Sequence, residues 1–144
     1  MCIEGIPVPI YQDAGELGRL LGQKPTDRAE AARLWLDRHP RTVLVAKGPH
    51  TLVASADHPL SHNGTGGPAQ ATAGMGDLLA GLIGGLVASA YPPHEAARLA
   101  VCWHGLAADL AEQQGGPAVL ASEVGEHLPT AWRRLAGKAV SEAP

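Results

Sequence analysis

Between Asp57 and Glu95 only one side chain is an aspartate, glutamate, lysine or arginine, and it is Asp77. It stands where a glycine-rich loop gives way to an apolar run, in NGTGGPAQATAGMGDLLAGLIGG (residues 63–85), which holds eight of the 18 glycines of this 144-residue chain. Residues 78–91 are uncharged but span only about two-thirds of the roughly 20 residues that a membrane-crossing helix needs. They are predicted to belong to a buried helix over residues 75–90, apolar nearly all round and therefore central. Gly81, Gly84 and Gly85 would weaken an isolated helix by about 1 kcal/mol each. Close packing against a neighbouring backbone is expected to compensate.

The surrounding elements fix the fold class. Residues 42–46 (TVLVA) form a short apolar run of the kind found in a strand buried on both faces. Lys47, Gly48 and Pro49 break it, residues 51–54 read as a second strand, and HPLSHN (58–63) as a third. Upstream, Asp13 and Glu16 have capping-box spacing. Leu17, Leu20 and Leu21 then make one apolar face, and Gly22 ends that helix. Thr26 is placed to cap a second helix through residue 38, with Trp35 and Ala31 or Ala32 inward. Downstream, Pro92 and Pro93 stop one helix and begin the next. There Leu99, Trp103, Leu106 and Leu110 recur at spacings of four, three and four, with Glu95, Arg98, Asp109 and Glu112 away from the stripe. Gly115, Gly116 and Pro117 break it. Ser122 caps a last helix with Val124, Leu128, Trp132 and Leu135 on one side and a frayed tail after Gly137. Strands set between helices imply a mixed α/β fold. With no internal repeat, one domain over residues 1–144 is expected.

Composition excludes several function classes. A formal charge of −3, with no block of like charges, argues against bulk attraction to nucleic acid or an anionic membrane. Tryptophan and tyrosine are the only FWY rings and no basic patch accompanies them, so nothing resembles a nucleic-acid platform. Arg33, Arg38 and Arg41 are spaced through polar positions, as on a solvated face. Cys2 and Cys102 have neither metal-ligand spacing nor a disulfide framework, which points to a reduced, cytoplasmic setting. Cys102 reads as an inert buried thiol. The opening MCIEGIPVPIYQD lacks the basic region and long apolar stretch of a signal peptide. With Gly5, Pro7 and Pro9 it reads as an extended segment from the middle of something larger. His58 and His62 are four apart, but the proline and asparagine around them argue against a helix presenting both to zinc. His104 reads as a packed, hydrogen-bonded core histidine, and Trp35, Trp103 and Trp132 as core.

The chemistry concentrates at the glycine loop. A helix start exposes backbone N–H groups and the positive end of the helix dipole, and so attracts anions. Gly74 and Gly76 have no side chains, which lets a phosphate approach the amides of residues 74–77. A carboxylate beside such a loop can take the proton from a hydroxyl as that hydroxyl attacks a phosphoryl group. Asp77 can equally serve only to stabilise its helix terminus, and GxGD alone is a weak pattern without the Walker spacing. Lys47, at the end of a buried strand, is a phosphate ligand or a snorkelling lysine.

Four segments in order, AKGPHT, NGTGGPAQATAGMGDLLAGLIGGLVA, HGLAADLAEQQG and ASEVGEHLP, resemble the NAD(P)H-hydrate dehydratase family, the ribokinase-like domain also called the YjeF C-terminal domain. The family's KG-x-x-T segment corresponds to Lys47, Gly48 and Thr51, and its asparagine to Asn63. Its A-T-G-G-x-G-D-x-L-x-G core corresponds to Ala71, Thr72, Ala73, Gly74, Met75, Gly76, Asp77, Leu79 and Gly81, and its H-G-x-A to His104, Gly105 and Ala107. The resemblance implies a three-layer α/β ribokinase-like fold, of which this chain is the C-terminal half. It also implies repair of hydrated NADH and NADPH by loss of water driven by ATP or ADP, with Mg2+ accompanying the nucleotide. Gly74, Met75 and Gly76 would form the anion hole for the transferred phosphate. Asp77 would be the base, Lys47, Gly48 and Thr51 would lie along the nucleotide, and Asn63 near the loop. Where the family commonly has Thr-Pro-His before the first helix, this chain has Tyr11, Gln12 and Asp13, while Gly15 and Glu16 remain. Ala73 replaces a loop glycine. Half a fold leaves a sheet edge that a second copy, a partner half or a rebuilt sheet must cover. A nucleotide- or partner-binding remnant, and a small-molecule kinase on the same fold, are the alternatives.

Overall fold

The computed structural model describes residues 2–3, 6–7, 10–11, 14–22, 24–68 and 71–141. The predicted Asp13 cap, with Gln12, Gly5 and Pro9, lies outside these residues. Among these residues the elements follow in the order β1 (Cys2–Ile3), β2 (Ile6–Pro7), β3 (Ile10–Tyr11), α1 (Ala14–Leu21), α2 (Arg28–Arg38), β4 (Leu44–Ala46), β5 (Leu52–Ser55), β6 (His58–His62), α3 (Met75–Ala88), α4 (Pro93–Gly115) and α5 (Ala121–Ser141). β1 and β2 pair with each other, and the remaining strands form a sheet in the order β3-β4-β5-β6. β3 runs parallel to β4, Ile10 opposite Val45, and α1 and α2 make the crossover between them. β4, β5 and β6 are antiparallel, with Leu44 opposite Ala54 and Val45 opposite Val53.

Strand alternation explains the layers. Val43, Val45 and Val53 point to one side, where Leu79, Ile83 and Leu86 of α3 and Ala96, Ala97, Ala100 and Val101 of α4 meet them. Leu44 and Ala54 point to the other side, onto Leu17, Leu21, Ala31 and Ala32 of α1 and α2. The sheet is therefore covered on both faces, and Leu44, Val45 and Ala46 are all buried. β6 is an exposed edge with Pro59, a residue that lacks the N–H a central strand would use. A third cluster joins Met75 of α3 to Ala107, Ala108, Leu110 and Ala111 of α4 and Val124 and Ala131 of α5.

Local expectations hold in outline and shift in detail. Leu17 and Leu21 are buried, but Leu20 is 59% exposed, because the inward arc of this two-turn helix admits only the four-residue repeat. Gly22 follows at a positive φ of 65°, with its N–H on the Arg19 carbonyl. The cap of α2 is Asp27, not Thr26: Asp27 accepts from the Glu30 amide, while Thr26 donates both its N–H and its hydroxyl to the Glu30 carboxylate. Arg38 is drawn back to the last carbonyl of α1, at Leu21. In α4 the fully buried face is mostly alanine. The Leu99, Trp103 and Leu106 stripe flanks that face, since only small side chains fit where α4 crosses the sheet. Ser122 lies inside the first turn of α5, and Glu123 reaches back to the Leu120 amide. The helix continues past Gly137 to Ser141. Trp132 is 37% exposed and tilts against Trp103, whose indole donates to the Leu128 carbonyl.

The largest correction concerns α3. Only Met75, Leu79, Ile83 and Leu86 are fully buried, and the opposite stripe, Asp77, Gly81, Gly85 and Ala88, is exposed. A Cβ built on Gly81 or Gly85 meets nothing within 4 Å, so the expected close packing is absent at both among the described residues. Gly81→Ala and Gly85→Ala should each stabilise this chain by about 0.5–1 kcal/mol, since alanine restricts the unfolded chain and costs no clash. Urea melts of the two variants check this, and a loss of stability at either position would contradict the open face.

Candidate active site

The site is built at the carboxyl end of β4, where the buried strand delivers Lys47 to the start of α3. A Cβ on Gly76 would come within 3.3 Å of the Lys47 ammonium nitrogen, so that nitrogen lies directly over the first turn of α3. Among the described residues no side chain caps this turn, and first-turn amides have no partner within a helix. Gly74 makes the approach possible. Its φ is 84°, a conformation that β-carbon-bearing residues rarely adopt, and a Cβ there would press to 3.2 Å from Ala121 of α5. Asp77, in the first turn, is exposed. Met75 is wholly buried, so it offers the site only its backbone N–H.

The loop between β6 and α3 is tied down by α4. Thr65 donates to the Asn63 amide oxygen and the Cys102 carbonyl, each at 3.0 Å, and the Asn63 amide nitrogen donates to the Thr65 carbonyl at 2.7 Å. The Gly66 amide donates to Asp109 at 3.1 Å, and Thr72 to the Val119 carbonyl at 2.9 Å. Thr65 sits so close to α4 that a Cβ on Gly105 would fall 2.2 Å from its hydroxyl and 2.8 Å from its backbone. Gly105→Ala must therefore displace the loop, at a cost of about 1–3 kcal/mol. Gly125→Ala, where a Cβ meets nothing, is the control. Equal urea midpoints for these two variants would contradict the contact.

A cleft of about 530 Å³ opens beside Lys47, lined by residues 47–51, 65–68 and 71. Lys47, Gly48 and Thr51 thus share one cleft with the glycine loop, and Lys47 links it to the α3 start. Asn63 lines a neighbouring cleft of about 420 Å³ with His62, Arg98 and Cys102, and reaches the first only through its hold on Thr65, which lines both. Cys102 is half-buried rather than buried.

Three residues escaped the sequence reading. Asp109 and Glu112 lie away from the apolar stripe of α4, as expected, but Asp109 holds Gly66, and Glu112 lies beside Gly67. Arg28 reaches under the loop after β4 and donates to the Pro49 carbonyl. His104 is buried as expected, but its Nε2 has no hydrogen-bond partner. Burial, and then the Lys47 charge, push its pKa down to about 4. The signal for Asp109 was present in HGLAAD, whose four-residue spacing puts Gly105 and Asp109 along one side of α4.

These features match a known family. The sequence model described as NAD(P)H-hydrate dehydratase matches residues 11–130. The chain belongs to the NAD(P)H-hydrate dehydratase family. It is 38% identical over 134 residues to a bifunctional NAD(P)H-hydrate repair enzyme Nnr of Moorella thermoacetica, covering 90% of this chain and 25% of that protein. It is 35% identical to an ADP-dependent (S)-NAD(P)H-hydrate dehydratase of Bacillus subtilis, covering 90% of this chain and 48% of that one. The crystal structure of the ADP/ATP-dependent NAD(P)H-hydrate dehydratase from Bacillus subtilis, co-crystallised with ATP and Mg2+, superposes with a TM-score of 0.76 at 33% identity, over 90% of this chain and 47% of that one. The α/β ribokinase-like fold of the family is therefore this chain's fold over the aligned region, and the chain spans a quarter to about half the length of these relatives.

Proposed function

We propose that this chain forms the nucleotide-binding and base-bearing half of a site that dehydrates hydrated NADH or NADPH at the expense of ATP or ADP. The observation that carries the reading is the Lys47 ammonium held over Gly76 at an uncapped helix start, with Asp77 in the same turn. In this reading the amides of Gly74, Met75 and Gly76 and the Lys47 charge bind the terminal phosphoryl group. Gly48, Thr51 and the cleft beside them take the rest of the nucleotide, and Asn63 holds Thr65 in the cleft wall. Asp77 accepts the proton of the ring hydroxyl as its oxygen attacks phosphorus and the bond to the leaving nucleotide breaks. Phosphate then departs with that oxygen, a better leaving group than hydroxide, and the neighbouring ring carbon releases a proton to water as the ring double bond is restored. Among the described residues no group of three or more histidine, cysteine, aspartate or glutamate side chains gathers to hold a metal. Mg2+ would be carried by the nucleotide phosphates and water, neutralising their charge.

The position of β3 at the end of the sheet among the described residues and the exposed glycine stripe of α3 support a further element of the reading, that a second copy of this chain or a separate other half completes the unit formed by residues 1–144. Among the described residues no helix is long and apolar enough to cross a membrane. We place the reaction in the cytoplasm, with no nucleic-acid or membrane partner. The same features favour a second reading, a remnant that binds nucleotide or partner without turnover. The deciding assay supplies hydrated NADH, ADP or ATP and magnesium to the purified chain and follows the appearance of NADH. Nucleotide-dependent turnover is the expected result. A stable phosphorylated product would identify a small-molecule kinase instead, binding without turnover a remnant, and neither binding nor turnover would overturn the proposal.

A further inference from the structure

His104 poses a question that the proposed chemistry does not answer. It is 4% exposed, its Nε2 is sealed from solvent without a hydrogen-bond partner, and burying such a nitrogen costs about 1–3 kcal/mol. Among the described residues Lys47 is the charge that bears on the ring, and the Lys47 nitrogen is also the atom over the first turn of α3. Gly105, next in sequence, is pressed against Thr65 in the wall of the cleft that Lys47 lines. Lys47 therefore bears both on the buried imidazole and on the first turn of α3. An ammonium has only donors, so a nitrogen facing it is useful only as an acceptor, with the ring proton on Nδ1. A protonated ring there would repel Lys47.

We propose that His104 is a positioning residue for the anion site. Its neutral Nε2 accepts a hydrogen bond from the Lys47 ammonium, directly or through one water, when an anion binds at the start of α3. That bond aims the remaining ammonium protons at the anion. The proposal rests on the anion-site reading above and assigns His104 no contact with the reacting atoms.

The test measures ADP–magnesium binding by calorimetry on the full chain and on H104L, H104Q and K47A. Leucine removes the acceptor, whereas a glutamine amide oxygen reaches about as far as Nε2. H104L should weaken binding about tenfold and H104Q should restore most of it. In the K47A background H104L should have no further effect. Equal binding by wild type and H104L, or an undiminished H104L effect without Lys47, would overturn the proposal. Nitrogen-15 NMR of the wild-type ring at pH 7 is the second measurement and needs neither variant nor nucleotide. A neutral ring protonated at Nδ1 is expected, and a proton on Nε2 would overturn the proposal. A chain that binds no ADP but shows the Nδ1–H tautomer would sink the nucleotide reading and leave His104 as an acceptor for Lys47.

Discussion

Asp77→Asn should lower nucleotide-dependent turnover of hydrated NADH by roughly 10²- to 10⁴-fold, the usual contribution of a positioned general base, and should leave the fold intact. The two effects separate because of where Asp77 lies. It is exposed in the first turn of α3 and makes no side-chain hydrogen bond or ion pair among the described residues. Its structural contribution is limited to the helix dipole, about 0.3–1 kcal/mol, against roughly 3–5 kcal/mol for the lost proton transfer. Asparagine keeps the size and a polar tip, so the amides of Gly74, Met75 and Gly76 stay accessible. Nucleotide affinity should therefore change little or improve slightly, because a carboxylate no longer faces the phosphates. The measurement is a paired rate and urea midpoint on the same preparation. A full rate with an unchanged midpoint would remove Asp77 from the chemistry, and a collapse of both would make it a structural cap.

The fold was legible where the physics is local. The run from Thr42 to Ala46 could be read as a doubly buried strand because strands covered on both faces lose the polar alternation that a solvated face imposes. Lys47, Gly48 and Pro49 marked its end because a charge, a glycine and a proline cannot continue it. What could not be read is what depends on a partner surface. An apolar helix without charges, α3, gives the same pattern whether it is enclosed or merely waiting for a cover, and its glycines were assigned packing that Gly81 and Gly85 lack. The spacing put Asp109 and Glu112 away from the apolar stripe of α4 but could not say what they touch. Their partners, Gly66 and Gly67, are distant in sequence and have no side chains to advertise the contact. The meeting of Lys47 with Gly76 was accessible only through family resemblance, since nothing in either segment alone specifies the other.

Acid should destabilise this chain already at mildly acidic pH. His104 ordinarily has a pKa of 6.5 and is pushed down to about 4 in the folded chain, first by burial and then by Lys47. Between those values the unfolded chain takes up a proton that the folded chain does not, so stability rises with pH through the window and is lost as pH falls through it. The full depression is worth about 3 kcal/mol, of which about 2 kcal/mol should be gone by pH 5. That is a large part of the margin of a small domain. His94 acts in the same direction. It is buried at the start of α4, with its Nδ1 2.8 Å from the Ser55 hydroxyl, and its ring stacks at 4.0 Å on that of His58. Burial, followed by the neighbouring His58, lowers its pKa too. Glu30 is stabilised in its ionised form by Thr26, and its contribution falls away as pH drops through its ordinary value of 4.5, at the acid end of this window and below the pH 5 limit of the measurement. Urea midpoints at pH 7.5, 6 and 5 separate the causes. Wild type should lose stability steeply across the series, H104Q should lose markedly less, and H94Q should lose somewhat less. A wild-type midpoint that stays level to pH 5 would mean that the His104 pocket admits the charged ring, and with it that Lys47 is free to move away from the α3 start.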